Sequence, residues 1–314
     1  MKAVRFHEYG DPGVLRVEEV DTPDPGAGQV RVRVAATTFN PVDDGIRGGY
    51  LQGPFPVELP HIPGIEVAGT IDAIGEGVSD FRAGDDVVGF LPMVADGASA
   101  DYVVAPAEVL AKAPSSIPLA DAAALPMVGL TAWQTLFDHA GLGAGQRILI
   151  NGAGGAVGGY AVQLAHGAGA HVIAIAGPGS VERVRRAGAD ETVDHTTTDV
   201  TKAVTDQVDV LLNLARISTE ELTALVPAVR AGGVVVNTVP VITTPGDDER
   251  DVRAVDFFVR SDAAQLAHLV TLVDGGELQV EVAERVPLGA LPDLHARAAT
   301  AGLPGRVTVL PAFD

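Results

Sequence analysis

The segment AGGAVG, residues 153–158, has the residue types and the spacing of a turn that holds the pyrophosphate of a dinucleotide. Small residues fill its first, third and sixth positions, where they would shape the turn, admit the pyrophosphate to the backbone and pack a helix on a strand. A doubly wound domain without nucleotide could also contain such a turn. We interpret it as a dinucleotide site, and the residues expected to contact the cofactor are Ala153, Gly154, Gly155, Ala156 and Val157.

The residues after the next strand indicate which dinucleotide binds. A site for NAD usually places an acidic residue about 20 positions beyond the glycine turn, where it binds the ribose hydroxyls. Residues 159–181 contain no Asp or Glu, and the loop in this region offers small residues, a hydroxyl and positive charge to a 2′-phosphate. The arginines that supply this positive charge could instead form only the solvent-exposed face of a helix. The pattern favours NADPH, with contacts from Gly177, Ser180 and Arg183, or from Arg185 or Arg186.

A strand, a helix and a second strand must hold the turn in place. Residues 148–150 form an apolar run, residues 156–169 repeat apolar side chains at helical spacing, and residues 172–175 are apolar again. The alternation continues as far as residue 239, with a helix expected at residues 218–233. It is typical of a parallel sheet covered by helices on both faces, so residues 121–259 are predicted to form a Rossmann-type α/β domain.

A doubly wound sheet presents residues to its ligand at the carboxyl ends of its strands. Candidates for cofactor contacts occur there, and two adjacent phenylalanines that follow could wall the nicotinamide pocket. Paired aromatic residues more often belong to a core or an interface. The cofactor contacts predicted on this basis are Asn213, Asn237, Thr238, Val239 and Phe257.

The charge-free run from residue 148 to residue 181 is long enough to cross a bilayer. It also contains nine glycines, a proline and several polar residues, which a membrane helix does not usually need. Strands that are buried on both faces of a covered parallel sheet explain the lack of charge, so we expect no membrane segment.

Composition argues against several classes of protein. The formal net charge of −20 and the absence of a basic run argue against nucleic acid as a partner. The chain has no cysteine, which excludes disulfides, thiolate zinc sites and a cysteine nucleophile. Its histidines lack metal-ligand spacing, and no Gly-x-Ser-x-Gly motif supports a serine hydrolase. The first residues do not resemble a secretory signal, so a cytoplasmic location is expected.

Short apolar runs separated by Gly, Pro and Asp indicate strands over most of residues 1–120. Their spacing predicts a compact β barrel or sandwich. The strands near the end of the chain have no adjacent partner in the Rossmann-type domain. Residues 260–314 are therefore expected to return to the first domain and make it discontinuous.

Several segments, in order along the chain, resemble one known family. GQRILINGAGGAVGGYAVQLA, residues 145–165, is similar to the coenzyme-binding signature of zinc-independent quinone oxidoreductases, a branch of the medium-chain dehydrogenase/reductase superfamily. The family's turn is closer to GAAGGVG, so this chain departs from it at Gly154 and Ala156. The other similar segments are FNPVDDGIRGGY (39–50), PHIPGIEVAGTIDAIGEGV (60–78), ALPMVGLTAWQTLF (124–137) and GRVTVL (305–310).

The resemblance implies a GroES-like catalytic domain made from both ends of the chain, a Rossmann domain between them, and an active site in the cleft. Zinc-dependent relatives carry cysteine ligands and a Gly-His-Glu motif, whereas this chain has Gly64, Ile65 and Glu66 there. The resemblance therefore implies hydride transfer from NADPH to a quinone or an α,β-unsaturated carbonyl without a metal.

The matched motifs also imply which residues act on the substrate. Asn40 could donate to the carbonyl oxygen or position the nicotinamide, Tyr50 could hydrogen-bond the carbonyl or deliver a proton, and Thr131 would touch the nicotinamide. Each has an ordinary structural explanation: a turn residue before proline, an exposed loop aromatic, and a helix residue that bonds to its own backbone. Arg306, in the last matched motif, is expected to contact the cofactor.

Rival functions remain open at this point. An enoyl thioester reductase needs a cleft that accepts the arm of a carrier, and a basic patch at the entrance of the cleft would favour this function. The formal net charge of −20 disfavours such a basic patch. A non-catalytic NADPH-binding redox sensor is allowed by the departures in the glycine turn and by Asn213, which stands where many relatives carry an acidic residue after the strand. The three candidate catalytic residues argue against this sensor. By analogy of fold we expect a homodimer, through a sheet edge at residues 234–239.

Overall fold

The computed structural model describes residues 1–204, 206–300 and 302–312. Positions 205, 301, 313 and 314, which belong to the two predicted domains, lie outside the described residues. The chain divides into two units: the first is Met1–Met127 together with the residues from Ser261 onward, and the second is Val128–Arg260. The predicted domain boundaries followed residues 120 and 259.

The first unit begins with short strands and helices. The strands are β1 (Lys2–Arg5), β2 (Arg16–Glu19), β3 (Gln29–Thr38), β4 (Glu66–Ile74), β5 (Asp86–Phe90), β6 (Tyr102–Pro106) and β7 (Leu110–Lys112). The helices are α1 (Pro41–Arg47) and α2 (Leu119–Ala122), and α3 (Pro126–Trp133) runs across the boundary between the units. Pro126 is the first residue of α3, a position where the missing N–H costs nothing.

The second unit alternates strands and helices along the chain. Its strands are β8 (Arg147–Asn151), β9 (His171–Ala176), β10 (Glu191–Asp194), β11 (Val208–Asn213), β12 (Val229–Asn237) and β13 (Arg253–Asp256). Its helices are α4 (Ala156–Gly167), α5 (Val181–Arg186), α6 (Val200–Ala203) and α7 (Thr219–Leu225), and α3 continues into this unit as a π-helical turn at Gln134–His139.

The chain then returns to the first unit. The elements that return are α8 (Ala263–Asp274), β14 (Glu284–Pro287), α9 (Leu291–Thr300) and β15 (Val307–Leu310). β15 pairs parallel with β14 and antiparallel with β3, so the last strand completes a sheet that begins near residue 29. The order of this sheet is β14-β15-β3-β4-β5-β7, with β6 also paired to β3, and β1 pairs with β2. Val30, Val32, Val67 and Ile71 lie buried in its core.

The described strands of the second unit form one sheet in which all neighbours are parallel, in the order β10-β9-β8-β11-β12-β13. This is the strand order of a doubly wound dinucleotide-binding domain. Ile148, Leu149 and Ile150 in β8 are completely buried, which explains why this stretch lacks charge. The predicted Rossmann-type α/β sheet is confirmed. No helix among the described residues is long and apolar enough to span a membrane.

The structure corrects two predictions about β12. The helix predicted at residues 218–233 ends at Leu225, and Pro227 lies in a short 3-10 turn because it cannot donate to a continuing helix. An added Cβ at Gly233 would lie 2.8 Å from the carbonyl oxygen of Asp209, so this glycine lets the strand pass close to β11. β12 also lies between β11 and β13, so residues 234–239 are not at the sheet edge, and the outer strand is β13.

Candidate functional site

The glycine turn connects β8 to α4 at the carboxyl end of the parallel sheet. Gly152 has a φ of +86°, and Gly155 is the N-cap residue of α4. An added side chain at Gly158 would overlap the backbone of Ala153, and one at Gly154 would overlap Ser180. The missing side chains let α4 and the loop after β9 pack closely against the turn, and the first N–H groups of α4 can then bind a pyrophosphate.

A cavity of about 700 Å³ opens beside this turn, and all the residues that line it belong to the second unit. Its volume is within the range of pockets that bind small molecules and cofactors. Residues of the glycine turn and of the loop after β9 lie on the same wall. The predicted residues that line the cavity are Gly154, Gly155, Gly177 and Ser180.

The other predicted residues of this region lie next to the cavity wall. Ala153 is buried beneath the turn, and Ala156 and Val157 form the first turn of α4. Arg183 donates from α5 to the carbonyl of Gly154, so its guanidinium braces the glycine turn. A contact from Arg183 to a 2′-phosphate stays a prediction.

Sequence reasoning missed several residues of this cavity. His195 follows β10, which has only four residues and therefore shows no periodic pattern. The Nε2 of His195 would lie 3.4 Å from a Cβ added at Gly177. Arg216 had a detectable signal, because it lies just beyond the carboxyl end of β11. Charged or polar lining residues that were not predicted include His195, Thr198, Asp199, Arg216 and Glu221. The cavity therefore holds both cationic and anionic groups.

Asn213 and Asn237 are the last residues of β11 and β12, and both are buried. Their amide groups hydrogen-bond to each other at 2.9 Å. The hydroxyl of Thr238 donates to the backbone carbonyl of Asn213 at 3.2 Å. These three side chains have partners within the sheet and its loops, and their contact with a cofactor stays a prediction.

A smaller cavity of about 270 Å³ lies at the ends of β12 and β13. Asn237, Val239 and Phe257 line it. The ring of Phe257 packs edge to face on His139, with the ring centroids 5.3 Å apart.

Thr131, the predicted nicotinamide contact, is buried in α3.

Asn40 is the N-cap residue of α1 in the first unit and is almost completely buried. Its amide nitrogen donates to Glu66 at 2.8 Å and to Thr38 at 3.3 Å, and its amide oxygen accepts from Arg306 at 2.8 Å. Both amide hydrogens therefore have partners inside the protein. This geometry favours a positioning role for Asn40, because donation to a substrate would require one of these bonds to break.

Glu66 joins the groups around Asn40 into one buried network, and sequence reasoning missed this role. One carboxylate oxygen accepts from Thr38, Asn40 and Arg306. The other accepts from the backbone N–H of Met127, in the first turn of α3, at 2.7 Å. Arg306 was expected at the cofactor, and the structure places its guanidinium in this network.

Asp43 is a second buried carboxylate beside this network. It accepts from the backbone N–H groups of Asn40 at 3.1 Å and Gly64 at 3.0 Å. Burial raises the pKa of Asp43 to about 7, although the two N–H donors favour the charged form. The carboxylate of Glu66 contributes to this raised pKa, and the guanidinium of Arg306 opposes it.

Tyr50 lies beyond the end of α1, and its side chain is 83% exposed. Its phenol is therefore open to solvent or to a substrate, in contrast to the buried side chains of Asn40 and Thr131. The hydrogen bond or proton that Tyr50 would give to a substrate carbonyl stays a prediction.

Two family models match the chain. Residues 26–115 match the alcohol dehydrogenase GroES-like domain, and residues 187–309 match the zinc-binding dehydrogenase model. The first match identifies the strand-rich N-terminal part of the first unit as GroES-like.

Known proteins are similar over almost the whole chain. The chloroplast envelope quinone oxidoreductase homolog of Arabidopsis thaliana is 32% identical over 331 aligned positions, covering 99% of this chain and 98% of the relative. The 2-methylene-furan-3-one reductase of Solanum lycopersicum is 30% identical and covers 99% of this chain and 79% of its own. The structure of a mycobacterial protein complexed with NADPH has a TM-score of 0.85 at 26% identity, covering 99% of this chain and 100% of that chain.

The side chains of this chain do not fit the zinc that the name of the second family model implies. The chain has no cysteine, and the buried Ile65 takes the place of the histidine in a Gly-His-Glu motif. Glu66 is paired with Arg306. Among the described residues, no group of three or more His, Cys, Asp or Glu could hold a metal ion.

Proposed function

Because the chain belongs to the quinone oxidoreductase-like branch of the medium-chain dehydrogenase/reductase superfamily, we propose that it is an NADPH-dependent reductase. Its acceptor would be a quinone or an α,β-unsaturated carbonyl, and the reaction would need no zinc. The observation that carries the proposal is the cavity of about 700 Å³ at the glycine turn. The two relatives above, one named as a quinone oxidoreductase homolog and one as a reductase of a methylene-furanone, support the two acceptor classes.

We assign the cofactor to that cavity. The first N–H groups of α4 would bind the pyrophosphate, because a helix N-terminus favours an anion. β9 ends without a carboxylate, and Gly177 and Ser180 leave room for a 2′-phosphate. The mycobacterial relative, solved with NADPH, supports the same choice. The bound nicotinamide would supply the hydride.

We propose that Tyr50 and Thr131 touch the substrate or the nicotinamide. Asn40, the third residue expected to act there, is proposed as a positioning residue that holds Glu66 and Arg306, because its amide bonds to both. Tyr50 would donate a hydrogen bond to the acceptor oxygen as negative charge develops there. One such donor is worth about 3 kcal/mol of transition-state stabilisation.

We also propose that the protein is a cytoplasmic homodimer. The dimer is supported by analogy with proteins of similar fold, because homo-oligomers are the common assemblies of soluble proteins. Sedimentation equilibrium should give twice the chain mass of 32.2 kDa. A mass equal to that of one chain would overturn the proposed dimer.

Anaerobic oxidation of NADPH by a panel of acceptors tests the proposed reaction, with NADH in parallel. The panel comprises a benzoquinone, a naphthoquinone, an enal, an enone and an enoyl thioester. We expect turnover with a quinone or an enone and faster use of NADPH than of NADH. Tyr50→Phe should slow turnover while NADPH still binds, whereas Tyr102→Phe on β6 serves as the matched control and should not.

Each other outcome supports a rival. Turnover with the enoyl thioester alone would identify an enoyl thioester reductase. Tight NADPH binding without turnover across the panel would identify a redox sensor. Faster use of NADH would overturn the assignment of the loop after β9 to a 2′-phosphate.

A further inference from the structure

Three asparagines stand side by side at the carboxyl ends of β8, β11 and β12. Asn151, Asn213 and Asn237 occupy matching positions in the register of the parallel sheet. The Nδ2 of Asn151 donates to the Oδ1 of Asn213 at 2.8 Å, and the Nδ2 of Asn213 donates to the Oδ1 of Asn237 at 2.9 Å. We call these three side chains the amide ladder, and all its bonds run in the same direction across the sheet.

The amide ladder also holds the loops that follow its strands. Asn213 uses its second amide hydrogen to donate to the carbonyl of Ala215 at 3.1 Å. Asn237 donates to the carbonyls of Val239 at 3.0 Å and Ile242 at 3.1 Å, and its Oδ1 accepts from the N–H of Val239 at 3.1 Å. Both hydrogens and the oxygen of each of these two amides are therefore engaged.

These loops form walls of the two cavities. Ala215 lines the cavity of about 700 Å³, at which Asn151 forms the end of the amide ladder. Val239 and Ile242 line the cavity of about 270 Å³. The ladder thus connects a wall of the proposed cofactor cavity with a wall of the second cavity.

An amide meets every hydrogen-bonding requirement of the middle position of this arrangement. Asn213 is completely buried, and it must accept from one neighbour while it donates to another and to a backbone carbonyl. A carboxylate there would face the Oδ1 of Asn237 and the carbonyl of Ala215 without a hydrogen to donate. A buried polar group without a partner pays its full desolvation cost, so the chemistry of the ladder specifies Asn at this position.

We propose that the amide ladder is a positioning device that fixes the loops of both cavities in the geometry that binds NADP(H). Asn213 acts through Ala215, and Asn237 acts through Val239 and Ile242. This replaces the direct cofactor contacts expected for Asn213 and Asn237 with an indirect role. The inference rests on the proposed function, because it takes the dinucleotide as the ligand.

Asn213→Asp tests the ladder by changing one amide into a carboxyl group of the same shape. Calorimetric titration uses NADP⁺, because NADPH decomposes in acid. At about pH 8 we expect the variant to bind NADP⁺ at least about tenfold more weakly than the wild type. At about pH 5.5 binding should recover in part, because the protonated carboxyl group at position 213 has one hydrogen, which can bond to Asn237 or to the carbonyl of Ala215 but not to both.

The wild type measured at each pH controls for other titrating groups. Asp256 lies opposite Asn237 in the register of β13, and His195, Asp199, Arg216 and Glu221 line the larger cavity. Their titration affects both proteins, so the ratio of the two dissociation constants reports on position 213. Asn213→Ala, which cannot titrate, should bind weakly at both pH values.

Leu212→Ala separates positioning from stability. Leu212 is the buried neighbour of Asn213 on β11, and its truncation removes packing but leaves the ladder intact. This variant should melt at a lower temperature and bind NADP⁺ as the wild type does. An equal loss of binding in Leu212→Ala would overturn the positioning role.

Other outcomes are also decisive. If Asn213→Asp binds NADP⁺ as the wild type does at about pH 8, the ladder proposal is wrong and the proposed cofactor stands. If the wild type binds no NADP⁺, the proposed function fails, and with it the inference. If Asn213→Asp does not fold at about pH 8, it must fold at about pH 5.5, and a variant that stays unfolded there would overturn the proposal.

Discussion

Glu66 and Arg306 form an ion pair in which both side chains are almost completely buried. Removing one partner of a buried pair costs about 3–5 kcal/mol, because the other charge remains away from water without compensation. Thr38 and Asn40 bond to the same carboxylate oxygen, so its loss would also release the amide of Asn40. This pair therefore controls both the stability of the first unit and the orientation of Asn40.

Glu66→Gln should lower the free energy of unfolding by about 3–5 kcal/mol, because Arg306 loses its counter-charge. Chemical denaturation measures the change. The matched control is Glu284→Gln, which breaks a solvent-exposed pair with Arg297 and should change stability little. Equal stability of Glu66→Gln and the wild type would contradict the role assigned to the buried pair.

Asp43 should give the protein a pH-dependent stability. Its pKa is about 7 in the folded protein and near 3.8 as an ordinary Asp, so between these values the folded state binds more protons than the unfolded state. The contribution of Asp43 to the free energy of unfolding is therefore complete below about pH 4 and is lost as the pH rises through about 7.

Denaturation of the wild type and of Asp43→Asn at several pH values isolates this contribution, because other groups titrate in both proteins. The free energy of unfolding of the wild type minus that of Asp43→Asn should fall between about pH 5 and pH 8, with a slope of at most about 1.4 kcal/mol per pH unit. A difference that stays constant or rises would show that Asp43 is already charged in the folded protein.

Single residues show what the sequence could reveal and what it could not. Asn40 and Arg306 are found in the sequence because each belongs to a segment that resembles a family motif. Their connection through Glu66 could not be predicted, since Glu66 and Arg306 are 240 positions apart and no periodicity relates them. The partners of a buried network become visible only when β15 is placed beside β3.

At the scale of elements, α4 contains two adjacent glycines in different surroundings. A Cβ at Gly158 would overlap the backbone of Ala153, whereas a Cβ at Gly159 meets no atom within 4 Å. Gly158 therefore permits the close approach of α4 to the turn that follows β8, and Gly159 has no such role. The two positions form a matched pair for testing whether this approach shapes the cofactor site.

Gly158→Ala should lower the free energy of unfolding by about 1–3 kcal/mol, because the added methyl group pushes the helix from the turn. It should also weaken NADP⁺ binding. Gly159→Ala should raise the stability by up to about 1 kcal/mol, because alanine is the better helix former. Thermal unfolding and NADP⁺ titration of both variants measure these effects, and similar behaviour of the two would contradict the assignment.

The elements that were predicted well are those with a strong local pattern. β8, α4 and β9 have continuous apolar runs or helical spacing, so their residues alone define them. The start of β12 was predicted wrongly because Ala231, Gly232 and Gly233 look like the end of a helix, whereas the strand begins at Val229 and Gly233 passes close to β11. β10 and α6 have four residues each, too few to show a period, and His195 and Thr198 were missed with them.

At the scale of the whole molecule, the alternation of strands and helices was enough to predict the parallel sheet and its doubly wound order. The resemblance in ordered segments along the chain was enough to predict the family. Neither source predicts the acceptor, because the loops that would contact it carry no pattern. The central claim is that the cavity at the glycine turn holds NADP(H), since the proposed reaction and the amide ladder both depend on it.

A crystal of the protein soaked with NADP⁺ shows where the dinucleotide binds. We expect density for the pyrophosphate at the first N–H groups of α4, for the adenosine half in the cavity of about 700 Å³, and for the 2′-phosphate beside Gly177 and Ser180. Dinucleotide density at any other place, or a 2′-phosphate directed away from that loop, would overturn the assignment of NADP(H) to this cavity.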